Sequence, residues 1–185
     1  MTTRSQFWDA VNGILNVAGY PGILVLHVVI AAALLLRRRP HAAVFTAAAG
    51  AVVVMSTQIL KAGILRPRPE NTVVLTDTGS YPSGHVATTA AFLLVVAILV
   101  GRVWTWLLAV LGSIAMMVSR TYLQAHWLTD TVGGLCLAAA LVLLLWLAYQ
   151  NICIQENSDA RRLLTWKTRA SRRRRAAAPK ESEAG

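Results

Sequence analysis

Charge is scarce in this chain. Only 14% of its 185 residues are Asp, Glu, Lys or Arg, against about 25% in an average soluble domain. Hydrophobic residues make up 56%, and the mean hydropathy is +0.53. So little charge on so apolar a chain excludes an ordinary soluble fold, and the same hydrophobicity excludes disorder of the whole chain. Acidic residues are scarcest: eight, against 18 Lys and Arg, for a net charge of +10. In a soluble protein that excess would suggest nucleic acid. Here nine of the 18 basic residues fall within 161–180, beyond the last apolar run, so their placement points elsewhere. There are only two cysteines, Cys136 and Cys153, with neither metal-ligand spacing nor a disulfide-framework pattern. The length suits one domain rather than two.

What the chain has instead is long uncharged runs. A membrane span needs about 20 mostly apolar residues, or 17 at the short end. No charged side chain occurs in 11–36, 42–60, 86–101, 103–119 or 131–155. These runs predict five transmembrane helices near 14–36, 42–64, 84–101, 103–121 and 127–150. The third and fourth are joined by a tight turn at Gly101-Arg102. Neither of these two has the polar face of a soluble helix. The fold class expected is all-α, a polytopic bundle. Residues 1–13, with Phe7, Trp8 and Val11, are expected to form an interfacial segment, 14–155 the membrane domain, and 156–185 a basic, disordered tail. The first apolar run is long enough to span and lacks a basic flank beyond Arg4, so no signal peptide is expected.

Basic-residue bias orients the spans. With five spans, one face holds Arg37, Arg38, Arg39, Arg102 and the nine tail residues, 13 in all. The other holds Arg4, Lys61, Arg66, Arg68 and Arg120. The first face, with the C-terminus, is expected to be cytoplasmic in a cell membrane. Loops 65–83 and 120–127 then face outward. The arginine run at 172–175 is expected to lie against anionic lipid headgroups. No nucleic-acid partner is needed to explain it.

Membrane helices exclude ionisable groups unless those groups have work to do. Three polar clusters nevertheless sit at span ends, all on the outward side. They are Lys61 through Arg68-Pro69; Pro82-Ser83-Gly84-His85; and Ser119-Arg120 followed by His126 and Asp130. Guanidinium forks match phosphate oxygens in pairs, and a lysine adds a point charge. Ser83 and Gly84 open a helix whose first N–H groups suit an anion. Lys61, Arg68, Ser83, Gly84 and Arg120 are therefore the parts of a phosphate cradle that needs no metal. His126 and Asp130, four apart, stack on one helix face. A carboxylate on one ring nitrogen fixes the tautomer and frees the other nitrogen to attack. His85 supplies a second imidazole, able to protonate a leaving oxygen. Together they specify phosphoryl transfer through a phosphohistidine, carried mainly by positioning and charge.

The three clusters resemble the three-part signature of the type-2 phosphatidic-acid phosphatase superfamily, the lipid phosphate phosphatases and vanadium haloperoxidase-like proteins. Lys-x6-Arg-Pro is met by Lys61, Arg68 and Pro69. Pro-Ser-Gly-His is met by residues 82–85. Ser-Arg-x5-His-x3-Asp is met by Ser119, Arg120, His126 and Asp130. Eleven specified positions match in order, within about 55–135. The resemblance implies an all-helical acid-phosphatase/haloperoxidase-like core with its site at the membrane face. It implies metal-free, cofactor-free hydrolysis of phosphate esters or anhydrides, commonly of lipids. His126 would be the nucleophile with Asp130 behind it, His85 the acid, and Lys61, Arg68, Ser83, Gly84 and Arg120 the phosphate binders. Many bacterial integral members have six spans, whereas five are counted here.

Other residues have plainer readings. His27, inside the first span, is expected to face another helix and bond a carbonyl. His41 reads as a surface residue. Arg66 lies outside the signature. Trp104, Trp106 and Trp127 read as interfacial anchors. Gly133-Gly134 reads as a helix-packing surface, and Glu70 with Asp77 is too sparse a pair for a metal. The expected function is hydrolysis of a lipid or polyprenyl phosphate or pyrophosphate on the outward face. The alternatives are a phosphotransferase using another acceptor and a non-catalytic lipid-binding membrane protein.

Overall fold

The computed structural model describes residues 5–70, 72 and 79–176, with side chains through residue 158. Arg4, Asp77, the centre of the 66–83 loop and the side chains of the arginine run lie outside the described residues, as do the expectations placed on them. Among the described residues there are five helices and no strand. They are α1 (Gln6–Leu36), α2 (Pro40–Ile64), α3 (Gly84–Val100), α4 (Val103–Tyr122) and α5 (Leu128–Ala176). Four of them are long and apolar enough to cross a membrane. The fifth, α3, has 17 residues and is the axis of the bundle, packed against all four others.

Residues 6–13 are not set apart from the first span. They form the opening turns of α1, which runs on through a π turn at Ala18–Gly22. Pro21 lies inside that turn and has no N–H to give to the carbonyl one turn back. The ladder shifts by one residue there, and the Ile23 N–H bonds Ala18 O. Gly19 O, its usual partner, turns instead to the hydroxyls of Thr88 and Thr89 on α3, at 2.9 and 3.3 Å. A proline that would weaken an isolated helix thus keys α1 onto the central one.

The helix ends are sealed by local chemistry. Pro40 opens α2, where a missing N–H costs nothing. The Glu156 carboxylate, reaching from α5, accepts the next two N–H groups, of His41 and Ala42, at 2.9 and 3.1 Å. It also accepts from the His41 ring at 3.2 Å, so this surface histidine belongs to the seam between α2 and α5. Gly101 ends α3 at φ 65°, a left-handed position glycine takes without cost, and so makes the tight turn into α4. On the far side of the bundle α5 continues past residue 156, where the tail was expected to begin, and stays helical to Ala176.

The core is built of small residues: Ala42, Ala49, Ala87, Ala91 and Ala138 are fully buried beside Phe45, Val53 and Val142. Small side chains let helices approach closely where no water drives them together. Large apolar side chains such as Val28, Leu36, Leu111 and Leu147 point outward, as a lipid-facing surface requires. His27 is buried between helices. Its Nδ1–H donates to Ile23 O at 3.1 Å, and its ring meets Phe92 on α3 edge-on.

Candidate active site

All eight residues singled out in the sequence lie at one end of the bundle. The last turn of α2 supplies Lys61, and the loop after it supplies Arg68. The first turn of α3 supplies Ser83, Gly84 and His85. The end of α4 supplies Arg120, and the turn into α5 supplies His126 and Asp130.

His126 is 5% exposed. Its Nδ1 lies 2.7 Å from the carbonyl oxygen of Ser80. A carbonyl only accepts, so Nδ1 carries the proton and Nε2 presents its lone pair. Nε2 faces Arg68, 3.5 Å from Nη1. Burial pushes the His126 pKa down to about 3, helped by the charges of Arg68 and Lys61 and, last, of His85; the Ser80 carbonyl acts the other way. The ring is therefore neutral at ordinary pH.

Lys61 and Arg68 are gathered by one backbone oxygen. Lys61 Nζ donates to Gly79 O at 3.0 Å, and Arg68 Nη2 to the same oxygen at 3.4 Å. Arg68 Nη1 also donates to Ala125 O at 2.8 Å. Gly79 can serve both because it has no Cβ. One placed there would stand 3.1–3.3 Å from the backbone of Lys61, Leu65 and Arg66.

Asp130 does not make the hydrogen bond to His126 that its spacing suggests. Its Oδ2 is 3.7 Å from His126 Nδ1, too far for that bond though near enough to attract a charged ring. Two other groups hold the carboxylate. Arg66 Nη1 donates to Oδ1 at 2.7 Å, and the Trp127 N–H donates to Oδ2 at 3.0 Å. The second contact is half of a capping box, the third residue of a helix reaching back to the residue before it. Arg66, outside the signature, is thus the cation on a fully buried carboxylate. Its guanidinium also lies 5.9 Å over the Trp127 ring. Trp127 donates its Nε1–H to Pro67 O at 3.0 Å, which ties the loop after α2 to the start of α5.

The second histidine and the third cation meet on α1. His85 Nε2 donates to the backbone oxygen of Asn16 at 3.1 Å. Arg120, 1% exposed, donates from Nη1 to the side-chain oxygen of the same Asn16 at 2.7 Å. The Tyr20 ring leans on His85 with centroids 5.6 Å apart. Nothing in an apolar run marks Asn16 beyond its being polar where lipid is expected.

Glycines set how closely these pieces approach. A Cβ on Gly134 of α5 would fall 2.6 Å from Ser83 O, so α5 packs directly on the turn that opens α3. The Ser83 N–H donates to Asp130 O at 3.0 Å across that contact. Gly134 therefore does pack helices, and the helix it packs carries the site, whereas Gly133 faces the Tyr81 ring in the loop before α3.

Several buried polar atoms at this end have no partner among the described residues: Ser83 Oγ, Arg120 Nε and Thr57 Oγ1. Thr57 lies one helical turn before Lys61, and its methyl group is among the neighbours a Cβ on Gly84 would meet, at 3.7 Å. Buried hydroxyls and guanidinium N–H groups are costly to leave unmet. With the open N–H groups of α3 they form a set of donors suited to an oxyanion. Six residues before Lys61 in α2, about 9 Å along the helix axis, a groove of about 540 Å³ begins at Met55 between α1 and α2. It is lined by Leu24, Val28, Ala32, Ala47, Ala51 and Met55 among others.

Comparison with known proteins identifies the family and the fold. Residues 40–153 match the PAP2 superfamily. The chain is similar to an undecaprenyl-diphosphatase from Sulfolobus acidocaldarius, 28% identical over 102 residues, or 54% of this chain; it spans 42% of that protein's length. Its fold is similar to that of the crystal structure described as the first transmembrane PAP2 type phosphatidylglycerolphosphate phosphatase, from Bacillus subtilis. The TM-score is 0.73 at 24% identity, covering 81% of this chain and 80% of that one. A bundle of apolar helices, with a family match across its three polar clusters, identifies the chain as a multi-pass membrane protein belonging to the PAP2 superfamily.

Proposed function

We propose that the protein is a metal-independent phosphatase of a lipid or polyprenyl phosphate or pyrophosphate, working through a phosphohistidine on His126. The observation that carries this reading is the His126 ring. It is held by Ser80 as a neutral tautomer with Nε2 toward Arg68, beside a cradle of buried donors. The Nε2 lone pair attacks phosphorus, an N–P bond forms, and the P–O bond to the lipid breaks. The leaving oxygen takes its proton from His85. Water then attacks the phosphohistidine, the N–P bond breaks, phosphate departs, and the water's proton returns to His85. Asp130, 3.7 Å from Nδ1, stabilises the ring while it is cationic. Lys61, Arg68, Arg120, the Ser83 hydroxyl and the first N–H groups of α3 from Gly84 on bind the phosphoryl oxygens. Those donors supply the positive charge that a metal would otherwise bring.

The lipid character of the substrate rests on the setting. The groove between α1 and α2 offers an acyl or prenyl chain an apolar bed deeper in the bundle than the site. The names of the two similar proteins, one for a polyprenyl diphosphate and one for a phospholipid phosphate, point to the same substrate classes. The excess of Lys and Arg at the other end of the bundle supports the reading that this end, with the tail, is cytoplasmic and that the site is on the outer face. The tail then meets anionic headgroups on the inner leaflet.

Purified protein incubated with a panel of lipid phosphates in EDTA is expected to release phosphate. His126→Ala is expected to abolish release while remaining monodisperse in detergent. Substantial turnover by that variant removes His126 as nucleophile. Reaction in heavy-oxygen water labels the phosphate if water is the acceptor; unlabelled phosphate on a second molecule marks a phosphotransferase.

A further inference from the structure

Asn16 joins two residues that sequence logic assigns to separate tasks. One residue of α1 holds His85 through its backbone oxygen, at 3.1 Å, and Arg120 through its side-chain oxygen, at 2.7 Å. It lies outside the stretch that matches the family, residues 40–153, as does the whole of α1. The π turn explains how a helix can do this. At Ala18–Gly22 the backbone ladder slips by one residue around Pro21, and α1 turns main-chain oxygens toward α3. Gly19 O is taken by Thr88 and Thr89, and Asn16 O by His85. Close approach is built in: a Cβ on Gly19 would fall 3.2 Å from the His85 ring and 2.4 Å from the Met116 methyl group.

We propose that Asn16 is a positioning residue for phosphate binding and leaving-group protonation, aiming Arg120 through a neutral oxygen and holding His85 by Nε2. The proposal rests on the phosphatase reading above. Its chemistry turns on the neutrality of the amide. Arg120 is almost wholly buried and needs an acceptor to fix its plane. A carboxylate in that place would fix it as well, but would spend its charge within the protein. An amide oxygen orients the guanidinium and leaves its positive charge for the phosphoryl group. The Asn16 carbonyl does the matching work on His85. With Nε2–H tied to it, the proton given to the leaving oxygen comes from Nδ1.

Asn16→Asp against Asn16→Leu is the test. If Asn16 only braces the fold, Asp is the milder change, because it keeps an oxygen on Arg120 and Leu does not. If Asn16 sets the charge that phosphate meets, Asp is the worse one for anion binding. The measurement is inhibition of lipid-phosphate hydrolysis by inorganic phosphate and by vanadate, with kcat and KM separated. Thermal midpoints without ligand are recorded alongside. Asn16→Asp is expected to melt near wild type yet bind both anions about tenfold or more weakly. Asn16→Leu is expected to melt lower with a smaller loss of anion affinity per molecule folded. Should Leu not fold, Asn16→Ser takes its place as the neutral comparison. Anion affinity in Asn16→Asp equal to wild type, or better than in the neutral variant, overturns the proposal. His126→Ala separates the two failures. If it is inactive while Asn16→Asp binds phosphate normally, only the role of Asn16 falls. If it is active, the phosphatase mechanism falls first.

Discussion

His126 donates a hydrogen bond from Nδ1–H to the backbone carbonyl oxygen of Ser80, 2.7 Å away. A main-chain oxygen thus does in the resting protein what a carboxylate does in a serine-protease triad. Asp130, four residues along and 3.7 Å from the same nitrogen, is engaged instead by Arg66 and the Trp127 N–H. On the proposed mechanism, tautomer control and charge stabilisation are divided between two groups, and the division has a measurable result.

Asp130→Asn is expected to leave the His126 tautomer unchanged, with Nδ1 protonated in nitrogen-15 imidazole spectra, because Ser80 still holds it. Turnover falls because the cationic ring loses its carboxylate. The loss expected is about 10- to 100-fold, below the roughly 10⁴-fold seen where the same change also scrambles the tautomer. A switch of protonation to Nε2 in the variant would refute this division of labour.

The charge environment of His126 makes a second prediction. Its pKa in the folded protein is pushed down to about 3, while an unfolded chain protonates near 6.5. Between those values the unfolded state holds the extra proton, so stability drops as pH falls from about 6.5 toward 3. Removing a neighbouring cation relieves part of the shift. Arg68→Ala is expected to raise the His126 pKa toward its ordinary value in an imidazole nitrogen-15 titration. A wild-type midpoint near 6.5 would contradict the burial and charge seen around the ring.

Two glycines at the same end of the bundle supply a third prediction with opposite signs. Gly134→Ala places a methyl group 2.6 Å from Ser83 O, a backbone atom with no side chain to swing aside. A loss of about 1–3 kcal/mol is expected, as for other overpacked sites, with activity falling as the α3 turn is pushed outward. Gly63, in the last turns of α2, has nothing within 4 Å of a Cβ. Gly63→Ala is expected to stabilise by about 0.5–1 kcal/mol through helix propensity alone. Thermal unfolding in detergent compares the two directly.

The helices, their order and the end of the bundle that gathers the polar clusters were legible in the sequence because charge is excluded from apolar runs. The absence of Lys, Arg, Asp and Glu between residues 11 and 36 marks the body of α1, though not its opening turns from Gln6, which contain Asp9. The same screen hides Asn16, since an uncharged polar side chain barely interrupts such a run. Ser80 and Gly79 were hidden for a different reason. They act through carbonyl oxygens, and a carbonyl is common to every residue type. Arg66 was visible, but its task depends on a fully buried carboxylate 64 positions away. The tight turn at Gly101 followed from a glycine between two apolar runs. The π turn did not, because Pro21 alone does not say whether a helix kinks, breaks or shifts its ladder.

Because each of the five helices, or a turn beside it, lends a residue to the candidate site, from Asn16 to Asp130, no shorter stretch of the chain contains the whole set. Asn16 leads and Asp130 closes the set in chain order. A nascent chain still threading into the bilayer carries the cations and both imidazoles, but has no α5 to seat them. On the proposed mechanism, hydrolysis therefore waits until α5 docks, and a product clipped before Leu128 is expected to be chemically silent toward lipid phosphates.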